Sequence, residues 1–252
     1  MAVTRNKSPF IQESDLKSVD VVILCGGLGK RLRGVIGDSQ KVMAKVGRKP
    51  FLDLILAFLK KQGFRRIILC TGFQGDLIKK YYTQNPQGLE IVFSPEAKPL
   101  GTGGAIKNAM KKISSPTFLA MNGDSFCPLD FKKFLHFHLK QKALATVAVY
   151  KLQKNVDSGS ITMDDSKQIL RFDEKKPTAQ EQFVNAGIYA FDQSVFKYMP
   201  IQKVFSMEYD FFPVLIGNSF YGLPTKEEFL DIGTPERYDK AQKIFNKKVR
   251  SI

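Results

Sequence analysis

Residues Val21 to Arg33 read VVILCGGLGKRLR. An apolar run breaks into Gly26, Gly27 and Gly29, and the chain then turns basic at Lys30, Arg31 and Arg33. The run predicts a short buried strand, and the glycines predict a tight loop after it that something approaches closely. Backbone N–H groups converge where a strand passes through such a loop into a helix, which suits an anion. The three cations point the same way.

The pattern continues outward from that stretch. Strands are predicted at DVVILC (20–25), RIILCT (66–71), LEIVFS (89–94), TFLAMNGD (117–124) and ALATVAVYK (143–151). Between them, PFLDLILAFLKKQGF (50–64), GDLIKKYY (75–82), GTGGAIKNAMKKI (101–113) and DFKKFLHFHLKQ (130–141) carry helical spacing. Short apolar strands alternating with helices predict a mostly parallel sheet covered on both faces, a three-layer α/β/α architecture. Beyond residue 151 the pattern changes. GSITMDDSKQILRFDE alternates around a turn like a hairpin, and QFVNAGIYAF is a further strand. TPERYDKAQKIFNKKV is a last helix, with Thr234 as N-cap, Pro235 at its first position and Glu236 in its first turn. Residues 1–17 are expected to be a loose tail, and residues 18–252 one domain in two halves, 18–150 and 151–252.

Composition narrows the function without choosing it. At 252 residues, 43% apolar and 25% charged, the chain can bury a core and needs no disordered block. No apolar run approaches the roughly 20 residues of a membrane span, and the first residues lack a signal core, so a cytoplasmic protein without membrane attachment is expected. Cys25, Cys70 and Cys127 are odd in number and widely spaced, which predicts small reduced core residues. His136 and His138 stand two apart on a helix, face different directions and predict no shared metal site. The net charge of +15 attracts polyanions in general. The cations form no aromatic-interleaved stripe, which argues against nucleic acid as partner.

Two familiar glycine loops can be tested directly. G-x-G-x-x-G fits Gly27 and Gly29 but needs glycine where Leu32 stands, and G-x-x-x-x-G-K-[ST] needs glycine at Leu24 and a hydroxyl at Arg31. Both fail. The G-G-x-G-x-R-L that does stand resembles the signature of the sugar-1-phosphate nucleotidyltransferases. Further blocks follow in order: QKVMAKVGRKPFL (40–52), PLGTGGAI (99–106), NGDSF (122–126), FDEKK (172–176), VNAGIYAF (184–191) and FLDIGTPERY (229–238). Together they span about residues 20–240. Within that family, LCGGLGKRL, EAKPLGTGGAIK, NGDSF, SGSI and FSMEYDFFP most resemble the D-glycero-D-manno-heptose-1-phosphate guanylyltransferases.

The resemblance implies a Rossmann-like nucleotidyltransferase fold and a reaction. A sugar 1-phosphate attacks the α-phosphorus of a nucleoside triphosphate, GTP on the nearest resemblance, and pyrophosphate leaves. It implies nucleotide contacts at Leu24, Gly26, Gly27, Gly29, Lys30, Leu100, Gly101, Thr102 and Gly123. Arg31 would meet the leaving phosphates, and Lys41 is the phosphate-contacting lysine, with Gln40 before it where relatives usually carry proline. Asp124 and Asp231 would hold Mg²⁺, whose remaining ligands are phosphate and water. Gly159, Glu174, Lys175, Asn185 and Gly187 would line the sugar-phosphate pocket in the second half. Catalysis would thus rest on Arg31, Lys41, Asp124 and Lys175. The glycines of PLGTGGAI could equally serve a helix start with no ligand, although three there would be destabilising without a reason. Glu208 and Asp210 are either sugar contacts or helix N-terminal acids. Mannose-1-phosphate guanylyl transfer and uridylyl, cytidylyl or thymidylyl transfer to hexose phosphates remain alternatives, as does a non-catalytic sugar-nucleotide-binding subunit. Relatives are often homo-oligomers.

Overall fold

The structure is a computed structural model and describes residues 13–27, 29–152, 160–173 and 182–249. In chain order its helices are α1 (Glu13–Leu16), α2 (Arg33–Ile36), α3 (Phe51–Gln62), α4 (Gly75–Gln84), α5 (Gly101–Ala109), α6 (Phe131–Lys140), α7 (Phe212–Leu215) and α8 (Pro235–Val249). The strands are β1 (Val21–Leu24), β2 (Lys45–Val46), β3 (Lys49–Pro50), β4 (Arg66–Thr71), β5 (Glu90–Pro95), β6 (Thr117–Asn122) and β7 (Ser125–Phe126). They continue as β8 (Ala145–Leu152), β9 (Ser160–Met163), β10 (Ile169–Asp173), β11 (Gln182–Asp192), β12 (Phe220–Thr225) and β13 (Leu230–Asp231).

Among the described residues nine strands form one sheet. Its path runs β10-β9-β11-β6-β1-β4-β5, with β8 pairing to β11 and β12 to β8. The β5, β4, β1 and β6 strands are mutually parallel. β11 runs antiparallel to β6, β8 and β9, and β10 antiparallel to β9, while β12 lies parallel to β8. Only β10 and β11 therefore run against the others. The predicted mostly parallel sheet is what forms.

Each face of the sheet carries its own core. On one face Val21, Ile23, Ile67, Leu69 and Leu119 meet the apolar side of α3 (Phe51, Leu52, Ile55, Leu56, Leu59) and residues of α4, α6 and α8. On the other face Val22, Ile68, Ala120, Val147 and Tyr189 meet Ala105, Ile106 and Ala109 of α5 and Phe211, Phe212 and Leu215 around α7. The alternation along each strand, with both sets apolar, is why these strands read as unbroken apolar runs. α3 stops at Gly63 in the left-handed region (φ 113°), where Phe64 N–H reaches Leu59 O at 3.2 Å and Gly63 N–H reaches Lys60 O at 3.1 Å. That is a Schellman end, and it buries Phe64. Cys25, Cys70 and Cys127 are free and buried. Among the described residues no helix is long and apolar enough to cross a membrane.

Several elements differ from their expected bounds. The helix expected to run to residue 113 leaves α-geometry after Ala109 and ends in a 3₁₀ turn, Met110–Lys112. The strand expected to reach Asp124 ends at Asn122, and Gly123 N–H gives the last rung of its ladder with β1, to Leu24 O at 3.0 Å. β12 carries no clear strand signal, with Gly222 and Pro224 inside it. It is held by its register along β8, Phe220 against Ala145 through Thr225 against Tyr150.

What positions the site is the order of β1, β4, β5 and β6. The chain moves from β1 outward through β4 to β5, then returns to the other side of β1 as β6. Leu24 and Asn122, register partners at the ends of β1 and β6, flank this switch point. Open α/β sheets bind ligands at such a point, beyond the carboxyl ends of the strands.

Candidate active site

Two cavities open at that edge. The first, about 390 Å³, is lined by the glycine loop (Leu24, Gly26, Gly27), Gln40 to Val42, Glu96 and Pro99 beyond β5, and Gly101, Thr102 and Ala105 of α5. The second, about 330 Å³, is lined by Arg31, Tyr150, Phe172, Asn185, Gly187, Glu208, Phe229, Asp231 and Arg237 among others. Lys41, Asn122 and Asp124 line both. Two ligands placed in these cavities would meet over those three side chains.

The glycine loop is shaped by close approach. A Cβ on Gly26 would come within 3.0 Å of Glu96 Oε1 and 3.5 Å of Gly72 N. Gly29 is left-handed (φ 58°), and a Cβ there would stand 3.2 Å from Lys41 Cβ, so the loop wraps the lysine's stem. Gly27 has nothing within 4 Å of a notional Cβ, which leaves room above it for a ligand. Gly123, expected as a nucleotide contact, accommodates Leu24 O, 2.7 Å from its notional Cβ. Lys30 begins the 3₁₀ turn Lys30–Leu32, and its side chain lies outside the described ones. Arg31 is exposed and lies on the second cavity.

Gln40 resolves how the lysine is held without the expected proline. Its φ of −64° is the value proline would fix. Its buried amide accepts from Val42 N–H at 2.7 Å and donates to Cys25 O, tying the turn to the end of β1. Lys41 then projects onto the shared floor, where its Nζ lies 2.5 Å from Asp124 Oδ2.

Asp124 and Asp231 are far apart in the chain and adjacent in the fold. β13 pairs with β7 so that Asp231 faces Ser125, and Ile232 N–H reaches Asp124 O at 3.0 Å. Asp231 Oδ1 accepts from Gly233 N–H at 2.8 Å, and Oδ2 pairs with Arg237 Nη1 at 3.0 Å. A Cβ on Gly233 would stand 3.5 Å from Lys41 Nζ and 2.9 Å from Asp231 Oδ1. Lys41 thus pairs with Asp124 and lies close to Gly233, whose N–H Asp231 holds. Two hard oxygen donors, each balanced here by a cation, fit a divalent ion that takes its other ligands from phosphate and water. Among the described residues no group of three or more His, Cys, Asp or Glu could hold a metal by itself.

The second cavity has an aromatic wall, with Tyr150 and Phe229 stacked at 4.8 Å. Burial first, and then the charge of Asp231, push the Tyr150 phenol up to about 12, so it stays a neutral donor. Gly187 (φ 68°) sits in the bulge of β11 between Asn185 and Tyr189, and its notional Cβ would stand 2.6 Å from Asn122 Nδ2. The Asn185 amide is pinned by Gly187 N–H and Tyr189 Oη, both at 2.8 Å. Gly159, Glu174 and Lys175, expected on this cavity, lie outside the described residues.

The two acids left open take different parts. Asp210 Oδ2 accepts from Ser206 N–H at 2.6 Å, reaching back to the residue that caps the π-helical turn Met207–Phe211. Glu208 lines the second cavity and accepts from Thr102 Oγ1 at 2.9 Å, linking the start of α5 to that cavity. The glycines of PLGTGGAI also divide. Gly101 and Thr102 line the first cavity, whereas Leu100 gives its N–H to Glu96 and its carbonyl to Phe205 N–H. Notional Cβ atoms on Gly103 and Gly104 would stand 2.2 Å from the Phe205 ring and from Lys203 O. Those two glycines let the 203–205 segment pack on α5.

Sequence reasoning missed Glu96, Asn122, Tyr150, Phe229 and Arg237. Asn122 and Arg237 stand inside the NGDSF and FLDIGTPERY blocks without a role of their own. The end of β6 carries Asn122 to both cavities, and the β7–β13 pairing brings the segment that leads to Arg237 beside Asp124.

Comparison with known proteins identifies the family. The chain matches the nucleotidyl transferase family over residues 20–248. It is 36% identical over 226 residues to a D-glycero-alpha-D-manno-heptose 1-phosphate guanylyltransferase of Aneurinibacillus thermoaerophilus, covering 89% of this chain and 97% of that one. A protein of the same name from Campylobacter jejuni is 34% identical, covering 87% and 97%. The crystal structure of HddC from Yersinia pseudotuberculosis superposes with a TM-score of 0.81 at 37% identity, covering 90% of this chain and 99% of that one. A second structure of HddC is complexed with GMP-PN, and there the TM-score is 0.79.

Proposed function

The chain belongs to the nucleotidyl transferase family, and from that premise we propose that it transfers GMP from GTP to D-glycero-α-D-manno-heptose 1-phosphate. The products are a GDP-heptose and pyrophosphate. The observation that carries this reading is the shared floor, because one cavity sized for a nucleotide and one walled for a sugar meet on Lys41, Asn122 and Asp124. The identity to two heptose-1-phosphate guanylyltransferases over almost their whole length supports the choice of substrates.

The reaction needs no covalent enzyme intermediate. A sugar-phosphate oxygen attacks the α-phosphorus in line, and the protein's task is to hold two anions together and stabilise charge as it moves to the leaving group. The glycine loop, with the open face at Gly27, receives the nucleotide. Lys41 leaves Asp124 for the phosphates, and Arg31 adds a second cation from the sugar side. Asp124 and Asp231 would hold Mg²⁺, which would supply Lewis-acid polarisation of phosphate oxygens. Asn122, kept in place by Gly187, and the Tyr150–Phe229 wall orient the sugar phosphate. Gly159, Glu174 and Lys175 complete that side in this proposal.

The test is pyrophosphate release with ATP, GTP, CTP, UTP or dTTP set against heptose-, mannose- and glucose-1-phosphate. Release is expected to need a nucleotide, a sugar phosphate and a divalent cation together, and to be fastest with GTP and the heptose. No release from any pair would sink the enzymatic reading; a faster pair would replace the proposed substrates.

A further inference from the structure

The last helix begins with a residue that its local structure does not ask for. Thr234 precedes α8, Pro235 and Glu236 fill its first two positions, and Arg237 stands third. That third position favours a glutamate or glutamine whose side chain reaches back to the cap, and the positive end of the helix dipole disfavours a cation there. The Arg237 N–H itself is served by Thr234 Oγ1 at 3.4 Å, a bond that any side chain would allow. A guanidinium at this place breaks the local rules, so its gain has to come from a contact outside the helix.

That contact is one of the two carboxylates that would hold the metal. Arg237 Nη1 lies 3.0 Å from Asp231 Oδ2, with side-chain exposures of 49% and 18%. Asp231 Oδ1 is already held by Gly233 N–H at 2.8 Å, so the guanidinium sits on the oxygen left for a charged partner. A divalent ion on that same oxygen would meet the guanidinium's charge at close range. The guanidinium also has a second place to go. Arg237 lines the second cavity together with Arg31 and Lys41, and it does not line the first. Its planar fork of donors matches the oxygens of a phosphate.

We propose that Arg237 is a latch coupling two ligands: it holds Asp231 Oδ2 while the second cavity is empty, and yields that oxygen to a divalent cation when a sugar phosphate draws the guanidinium away. This rests on the metal and sugar-phosphate readings of the site and deepens them. Charge stays matched through the exchange, since the ion replaces the guanidinium at Asp231 and the guanidinium moves onto the phosphate. The consequence is cooperativity. The sugar phosphate and the divalent ion each tighten the other's binding by one shared factor.

The experiment measures Mn²⁺ binding to the full chain by water-proton relaxation, without nucleotide and without turnover. It is run alone, with heptose 1-phosphate and with mannose 1-phosphate, on the wild type, Arg237→Gln, Arg31→Gln and Asp231→Asn. Arg237→Gln keeps the backbone bond to Thr234, so α8 should start as before, and thermal denaturation checks it. Without sugar phosphate this variant should bind Mn²⁺ about fivefold more tightly than the wild type, the upper worth of a partly exposed ion pair. A sugar phosphate should tighten Mn²⁺ binding to the wild type, and in Arg237→Gln that tightening should shrink by about the same factor. Arg31→Gln removes a cation from the same cavity that forms no ion pair with Asp231 among the described residues, so it reports the general loss of positive charge and should have the smaller effect. Equal effects of the two arginine variants, unchanged Mn²⁺ affinity in Arg237→Gln, or no tightening of the wild type by either sugar phosphate would each overturn the latch. Asp231→Asn separates that failure from a deeper one. Loss of Mn²⁺ binding there, with no effect of Arg237→Gln, overturns the latch alone; intact binding places the metal elsewhere and removes the metal reading with it.

Discussion

Replacing Lys41 with methionine separates catalysis from stability. The Lys41 ammonium lies 2.5 Å from Asp124 Oδ2, with side-chain exposures of 12% and 37%. Because Asp124 is more than a third exposed, solvent screens the pair, and its loss should cost no more than about 1 kcal/mol of stability. For a chain of this size that lowers Tm by about 2–4 °C. Methionine keeps the stem that packs against Gly29, which limits the damage further. The same ammonium stands on the floor shared by both cavities, where charge on the transferring phosphoryl group must be stabilised. Losing one preorganised group of that kind costs about 10²–10³ in kcat. Steady-state pyrophosphate release, run beside thermal denaturation, reads both numbers. A variant within about tenfold of wild-type kcat would remove Lys41 from the transition state. A Tm drop of about 10 °C or more would show that its role is structural.

Other outcomes follow from the same geometry. Asp124→Asn and Asp231→Asn should each abolish turnover while circular dichroism and Tm stay near wild type; near-normal rates in both would remove the paired-carboxylate metal site. Gly27→Ala should be neutral for stability, since nothing lies within 4 Å of its Cβ, yet weaken GTP binding about tenfold as the methyl enters the cavity; unchanged affinity would move the nucleotide elsewhere. Gly103→Ala should lower Tm by roughly 2–12 °C, because its Cβ would meet the Phe205 ring at 2.2 Å and overpacking costs about 1–3 kcal/mol. His138 is buried beside Thr146 Oγ1 at 2.9 Å, and burial depresses its imidazole to about 4. Its folded-state pKa lies below the unfolded value of about 6.5, so stability is full above that and falls by about 3 kcal/mol as pH drops toward 4. Denaturant unfolding of His138→Gln should show a flatter profile over that window; parallel profiles would contradict the assignment.

The parallel half of the sheet was legible because each of its strands is apolar on both faces and each helix has one apolar stripe. β1, β4, β5 and β6 therefore formed within a residue or two of expectation, and the glycine loop, Lys41 and Asp124 fell at their carboxyl ends. What could not be read depends on contacts distant in the chain. β12 is a strand because β8 offers it an edge. Gly103 and Gly104 are explained by a segment about a hundred residues later. Glu96 looks like any acid in a turn until Leu100 fixes one of its oxygens toward the cavity. Gln40 breaks the pattern of relatives, yet its amide ties down the same turn.

The central claim is that two substrates react directly with each other above Lys41 and Asp124, with no enzyme-bound intermediate. The stereochemical course at the α-phosphorus tests it most directly. GTP carrying sulfur at one defined α-position is turned over with the sugar 1-phosphate, and the configuration of the product is read by ³¹P NMR. A single in-line displacement predicts inversion. Retention would mean two displacements and a covalent intermediate on the protein, which would contradict this account.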